Sequence, residues 1–450
     1  MAGSVDLEFE FDMEVELDPN LRSEMGHADM ELNLASVLNG EDVQASEDKQ
    51  DHQHFQEHSL IPQPQPPVAA AATLPDDILF SEVLVRLPVK SLMRFKCVCP
   101  SWCAAIADAD FIRRHLDHSR GIMPSILVTP RESSGDDDDD DEFSEDISFH
   151  RLQLEQALAG TIMEELMLKK VSPDQEDGIT NKIFLTHCDG LVAITTTTNQ
   201  VFVCNPATQE FVALPTRTPD FDSDEYSNEP TTAALGFDPH RNRYVVARYF
   251  YKPTSSSEDN NNMGHEVFWL GGDSTWSWKP TQDPPLPIYQ TRPAFMGGAF
   301  YWKSADQSLL RFSLGDEAFE VIPPPPGASS HYTLESLTEL DGNLCHTYTS
   351  SQTKFEVWQL ADDRSSWSKR CQVINFDLSF GSEAFLPVWA GRGGMLLAVD
   401  YNKLYWYCDK SGSLKKVVDM EHEVDLGRRE DGFYRQQIVP YIESLVSIRK

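Results

Sequence analysis

Basic side chains are scarce in this 450-residue chain: 37 Lys and Arg stand against 72 Asp and Glu, a net charge of −35. A nucleic-acid binder needs a basic footprint to displace counterions, and an anionic membrane attracts the same footprint. Neither nucleic acid nor membrane is therefore expected as a partner. Long apolar runs are also missing. The longest bland stretch is Val68-Ala69-Ala70-Ala71-Ala72, far short of the ~20 residues that cross a bilayer. The first residues are acidic where a secretory signal needs a basic start. Eight cysteines are too few for a disulfide scaffold, which predicts reduced thiols and a location in the nucleus and/or cytoplasm. There is no P-loop, no dinucleotide-binding glycine fingerprint and no Gly-x-Ser-x-Gly elbow. His240, His265, His331 and His346 are scattered without an i, i+4 pair, so no catalytic residue, metal site or cofactor is predicted.

What is present is unevenly distributed. Residues 1–60 hold 16 acids but only Arg22 and Lys49, a net of 2 − 16 = −14. From Val5 to Asp18 apolar and acidic residues alternate strictly. That is a strand period, yet a strand with an acid at every polar position repels itself. With the Pro/Gln/Ala tract that follows, residues 1–72 read as a disordered acidic tail and linker. A second acidic block, Asp136 to Glu142, reads as a solvated loop within a connecting segment over 121–180.

At residue 74 the texture changes. Residues 74–116 include 25 apolar side chains among 43, against 40% for the whole chain. Leu74-Pro75-Asp76-Asp77 has the proline and the acids that suit a first helical turn. Ile78, Leu79, Val83, Leu84 and Leu87 follow at helical spacing, and Pro88 ends the run. A second helix carries Val89, Leu92, Met93, Phe95 and Val98; a third opens at Pro100 and carries Trp102, Ile106 and Phe111. So small a unit has too much surface to bury all its apolar side chains internally. The surplus must dock on the rest of the chain or on a partner.

From about 180 onward, short β-type runs alternate with Gly, Pro, Asn and Asp. One unit runs Asp189-Gly190-Leu191-Val192, Val201-Phe202-Val203-Cys204-Asn205-Pro206-Ala207-Thr208, then Phe211 to Pro215. Similar units follow, with glycine landmarks at 190, 236, 297, 342 and 394. A period near 40–50 residues with about four strands predicts propeller blades. Five units are visible. A sixth is expected from Ile147–Val171 joined by a C-terminal strand over Tyr441–Ile448, which would lock the ring. The aromatic residues, Trp269, Trp276, Trp278, Trp302, Trp358, Trp367, Trp389 and Trp406 among them, are expected mainly in blade packing. Cys97, Cys99 and Cys103 lack zinc spacing and are expected as small buried thiols.

Two families are matched by these residues. Leu74-Pro75, Arg86-Leu87-Pro88-Val89-Lys90-Ser91-Leu92, Arg94-Phe95-Lys96-Cys97-Val98-Cys99 and Ser101-Trp102 together resemble an F-box of the large plant type. Between its landmarks the first helix is one residue longer than the common pattern, and Pro100 stands where Lys or Arg is usual. Asp189-Gly190-Leu191-Val192, Asn205-Pro206-Ala207-Thr208, Gly236-Phe237-Asp238-Pro239 and Glu443-Ser444-Leu445-Val446 resemble the F-box-associated, kelch-like β-propeller domain of plants. After the acidic tail over 1–72, the resemblance implies a small all-α F-box unit over 73–120 and an all-β propeller of about six blades over 181–450. It implies that Leu74, Pro75, Ile78, Leu79, Val83, Leu84, Leu87, Pro88, Val89, Leu92, Val98 and Trp102 form or support a surface for a Skp-family adaptor. The chain would then be a non-catalytic substrate receptor of an SCF-type cullin ubiquitin ligase, with an unknown protein target on the propeller. A non-ligase scaffold, a transcriptional cofactor and a propeller enzyme are the alternatives at this point.

Overall fold

Six four-stranded antiparallel sheets follow one another along the chain in the computed structural model. It describes residues 78–132, 143–144, 146–171, 179–180, 182–216, 231–252, 263–271, 276–289, 291–326, 335–351, 354–374, 385–426 and 434–449. The expected acidic tail, the acidic loop 136–142, Leu74 and Pro75 lie outside the described residues.

Blade I takes β1 (Ser125–Glu132), β3 (Asp146–Leu152) and β4 (Glu164–Val171) from the start of the ring and β26 (Tyr434–Tyr441) from its end. Blade II is β6 (Ile183–Cys188), β7 (Leu191–Thr196), β8 (Val201–Asn205) and β9 (Glu210–Ala213). Blade III is β10 (Ala233–Asp238), β11 (Arg243–Tyr251), β12 (Met263–Trp269) and β13 (Lys279–Pro280). Blade IV is β14 (Ala294–Met296), β15 (Ala299–Lys303), β16 (Leu309–Ser313) and β17 (Ala318–Ile322). Blade V is β18 (Glu335–Leu340), β19 (Asn343–Ser351), β20 (Lys354–Leu360) and β21 (Trp367–Ile374). Blade VI is β22 (Phe385–Gly391), β23 (Gly394–Val399), β24 (Lys403–Cys408) and β25 (Ser413–Asp419). Strands β2 (Phe143–Ser144) and β5 (Ile179–Thr180) pair as a separate ribbon.

One strand of each blade touches its neighbours in a closed cycle: β26 meets β6, β6 meets β10, then β14, β18, β22 and β26 again. These six line the axis of a six-bladed propeller. Closure leaves only short edges unpaired.

The lock is as expected, but its strand lies earlier. β26 pairs with β1 along its whole length, from Ser125 opposite Tyr441 to Glu132 opposite Tyr434. Residues 442–448 are not a strand. The apolar run Tyr441–Ile448 reads as the better strand, whereas 434–441 carries Arg435, Gln436 and Gln437. Those polar residues stand on a strand that borders the ring axis, where Gln437 meets Arg292. Pro440 is tolerated because β26 is an edge strand of its sheet. For the same reason 121–180 is no mere connection; it supplies three strands of blade I.

Two of the glycine landmarks need correction: Gly394 begins β23, one residue past its turn, and Gly236 is not at a turn. Positive φ at both residues of Asp189-Gly190, Gly297-Gly298, Asp341-Gly342 and Arg392-Gly393 marks tight turns whose twist matches the strands they join. Gly236 is different: it lies inside β10, against the Phe295 ring. Blade III instead turns over residues 239–242, with Asn242 at φ 52°, so its landmark glycine falls out of step.

The turns that follow the axial strands all open on one end of the ring. The connections at the other end are longer; Tyr251 to Met263 and Ile322 to Glu335 are examples.

The helical unit begins with a π-type turn over Leu79–Val83, where the Leu84 N–H reaches the Leu79 carbonyl, five residues back. A π turn holds one more residue than an α turn, which accommodates the extra residue noted in the sequence. A 3-10 turn (Leu84–Arg86) follows, then α1 (Val89–Phe95), α2 (Pro100–Ile106) and α3 (Ala109–Arg120). Phe111 belongs to α3, because Asp108 caps a new helix by accepting from the Asp110 and Phe111 amides.

Inside the ring, His265 of β12 packs edge-on to Trp302 and Phe319 and tilted over Phe312. Its Nδ1 lies 2.5 Å from Thr281 Oγ1. Burial pushes its pKa down from 6.5 to about 3. Between those values the unfolded chain binds a proton that the folded chain refuses, so stability falls as pH drops through that window. The loss is about 1.4 kcal/mol per pH unit. His265→Gln is expected to remove one proton's worth of that slope, read as converging urea midpoints at pH 7 and pH 5.5.

Candidate functional site

The predicted adaptor residues divide into two groups. Leu84, Val89 and Leu92 are buried, at 1%, 0% and 0% exposure. With Phe95, Ile106 and Phe111 they form the interior of the helical unit. They support a surface and do not line one. Ile78 and Val98 are exposed at 45% and 41%, Pro88 is exposed, and Leu79, Val83, Leu87 and Trp102 are half-buried. Trp102 is held edge-on between Phe80 and Phe95, with ring centres 5.7 and 5.5 Å away. The apolar surplus is therefore shared: part fills the small interior, part faces solvent, and part docks on the ring. The cysteine expectation fails here. Cys97 and Cys103 are exposed and Cys99 is half-buried, because they fall on the outer side of the second and third helical turns.

Docking on the ring is the work of α3 and of the chain end. Leu116, with Ile112 beside it, joins the apolar core of blade II, together with Leu191, Val203, Val446 and Ile448. Arg120 donates from Nε and Nη2 to the two carboxylate oxygens of Asp189, at 3.0 and 2.7 Å. The Tyr244 hydroxyl donates to the same carboxylate at 3.0 Å. A bidentate guanidinium on a carboxylate that is only 11% exposed is stronger than a surface pair. His115 and the Leu87 carbonyl, 3.0 Å apart, tie α3 back to the Arg-Leu-Pro turn.

Glu443 makes the second tie. Its Oε2 accepts the Val89 N–H at the start of α1, at 2.8 Å, and its Oε1 accepts from Arg151 Nη1 of β3. Arg151 also pairs with Glu165, which accepts from Lys90 at 3.0 Å. Burial alone would raise the Glu165 pKa, but the hydrogen bonds from Lys90 and Arg151 outweigh it and hold the carboxyl low.

The segment that carries Glu443 is itself pinned. Asn205 Oδ1 accepts from the Ala207 N–H, closing the turn before Pro206 as its sequence suggests. Its Nδ2 donates to the carbonyls of Ser444 and Val446, at 3.0 and 2.8 Å. Glu210 accepts the Ile448 N–H at 2.6 Å. Gly190, at φ 85°, leaves room for this segment; a Cβ there would stand 2.7 Å from the Ile442 carbonyl and from Ser444 Oγ. Asp189-Gly190, Asn205-Pro206 and Glu443-Ser444, far apart in sequence, thus meet in one place, under the helices.

Among the described residues, one group offers three metal-type ligand atoms close together: Asp419, Glu421 and His422. Asp419 already accepts from the Glu421 N–H and contacts the His422 ring, so the three make a turn. The tryptophans pack as expected in the main. Trp302 and Trp278 are buried, while Trp276 is 39% exposed. His331 lies outside the described residues.

A helical unit on a six-bladed ring is the architecture of two joined families. Residues 73–114 match the F-box domain, and residues 148–402 match the F-box associated beta propeller domain. The second match covers more than half of the chain, which belongs to that family. An Arabidopsis thaliana protein named as an F-box protein, At1g12855, is 28% identical over 337 residues, covering 69% of each chain. One named as an F-box/kelch-repeat protein, At1g12870, is 27% identical over 312 residues, covering 66% of this chain and 70% of its own.

Sequence reasoning missed β1 and the roles of Glu443 and Asp189. The partners of Glu443 are 292 and 354 residues away, and no local pattern announces such contacts.

Two substitutions separate buried from exposed ties. Glu443→Ala leaves the Val89 N–H without its acceptor and Arg151 with Glu165 alone, and is expected to cost about 2 kcal/mol. Lys90→Ala removes an exposed pair worth under about 1 kcal/mol. Urea denaturation of the two variants beside the parent checks the order. Gly190→Ala is expected to be damaging as well, since it adds a clash to a left-handed φ; its melting temperature should fall by several degrees.

Proposed function

We propose that the chain is the substrate-recognition subunit of an SCF-type cullin ubiquitin ligase. Its helical unit binds a Skp-family adaptor, and through it a cullin, while its propeller holds a target protein. One observation carries the reading: an F-box with exposed Ile78, Pro88 and Val98 is fixed to a propeller by partly buried ion pairs. Exposed apolar side chains on a small helical unit suit partner binding. The long connections at the far end of the ring suit a target site, because variable loops on a rigid scaffold commonly carry recognition. In this reading no side chain of the chain acts as acid, base or nucleophile. Rate comes from holding target lysines beside a charged conjugating enzyme, so that transfer becomes effectively unimolecular. The nucleus and/or cytoplasm is the proposed place of work.

Co-expression with a Skp-family adaptor tests this. A 1:1 complex is expected from the parent chain. Ile78→Asp with Val98→Asp should abolish it without lowering the melting temperature, since both sites already face solvent. Leu87→Asp with Pro88→Ala should abolish it too. A parent that fails to co-purify, or an Ile78/Val98 variant that still does, overturns the assignment in favour of a scaffold.

A further inference from the structure

Arg292 stands two residues before β14, the axial strand of blade IV. Its Nη1 donates to the Ile438 carbonyl and its Nη2 to Gln437 Oε1, both at 3.2 Å. Both acceptors lie on β26, the axial strand of blade I. In a six-bladed ring blades I and IV are opposite, so the side chain crosses the axis. The residue as a whole is half-buried.

Both acceptors are neutral, and among the described residues no carboxylate lies within ion-pairing distance of Arg292. In a chain with 72 acids the central cation thus has no counter-charge among the described residues. Burial correspondingly pulls its pKa below the usual value, against a smaller opposing effect of Tyr401. An uncompensated charge in an enclosed space is costly. His187 of β6, the axial strand of blade II, is likewise solvent-accessible yet surrounded. Burial, then the charge of Arg292, lowers its pKa to about 4, so near pH 7 it is neutral and carries one ring N–H. The carboxylate that acts on it, Asp189, is already engaged by Arg120 and Tyr244.

We propose that a phosphate group binds at the ring axis beside Arg292, with His187 and Gln437 adding donors. The guanidinium presents a fork of donors matched to an oxyanion. An imidazole and a side-chain amide from two other blades add donors from different directions, which suits a tetrahedral anion better than a planar carboxylate. The group comes either from free phosphate or from a phosphorylated side chain inserted at one end of the axis.

Calorimetric titration of the full chain in chloride buffer tests this, with inorganic phosphate and O-phospho-L-serine as separate probes and thermal melting as a second readout. Saturable binding and a raised melting temperature are expected. Arg292→Gln should weaken binding by about tenfold or more, His187→Gln should weaken it by several-fold, and Arg364→Gln on the outer rim should leave it unchanged. Tighter binding of phosphoserine assigns a phosphorylated side chain; equal or tighter binding of inorganic phosphate assigns the free anion. No binding of either probe at about 10 mM, a level that would largely fill even a millimolar site, overturns the proposal. So does undiminished binding in both Arg292→Gln and His187→Gln, and the second variant decides should the first fail to fold. Adaptor co-purification does not depend on this site, so the two proposals fail separately.

Discussion

The pairing of β1 with β26 is the contact on which the rest depends. A four-stranded blade has two edges, and a row of blades has two ends. Joining the last strand to the first sheet removes the ends. It also fixes where the chain goes next. β26 delivers residues 442–448 to the end of the ring with the tight turns, where the side chains of Asn205 and Glu210 hold their backbone by hydrogen bonds. Closure and the seat for the helices are therefore one construction: the segment that follows the lock strand carries the acceptor for α1.

That seat combines two kinds of force. Leu116 and Ile112 bury apolar surface against blade II, which gives area but little direction. Asp189 and Glu443 accept from Arg120, Tyr244, Arg151 and the Val89 amide, which gives direction. Groups of this type add little net energy when exchanged for apolar ones, yet they cost a good deal when one partner is removed. The expected result is a helical unit held in one orientation. In the proposed receptor role, where a target must be presented at a fixed place, orientation matters more than raw affinity.

Charge is arranged on a larger scale as well. The chain is strongly acidic, but residues 74–120 have seven Lys or Arg against six acids, and the ring axis holds Arg292 with neutral acceptors. Near-neutral or basic places in an acidic molecule stand out electrostatically, because like-charged surroundings do not quench them.

The sequence alone determined the broad plan. Strand runs between Gly, Asn and Asp turns, at a period near 50 residues, specify blades through local backbone preference. Helical spacing from Ile78 to Trp102 specifies the small α unit in the same way. Both signals are short-range, so they can be read along the chain. The tertiary structure decided which strand closes the ring, because Arg435-Gln436-Gln437 looks unlike a core strand until an axis lies beside it. It decided that Leu84, Val89 and Leu92 point inward while Ile78 and Val98 point out, since helical spacing gives a face but not what covers it. It also brought Asp189, Asn205 and Glu443 together. Their contacts span tens to hundreds of residues, and only a closed ring sets such distances.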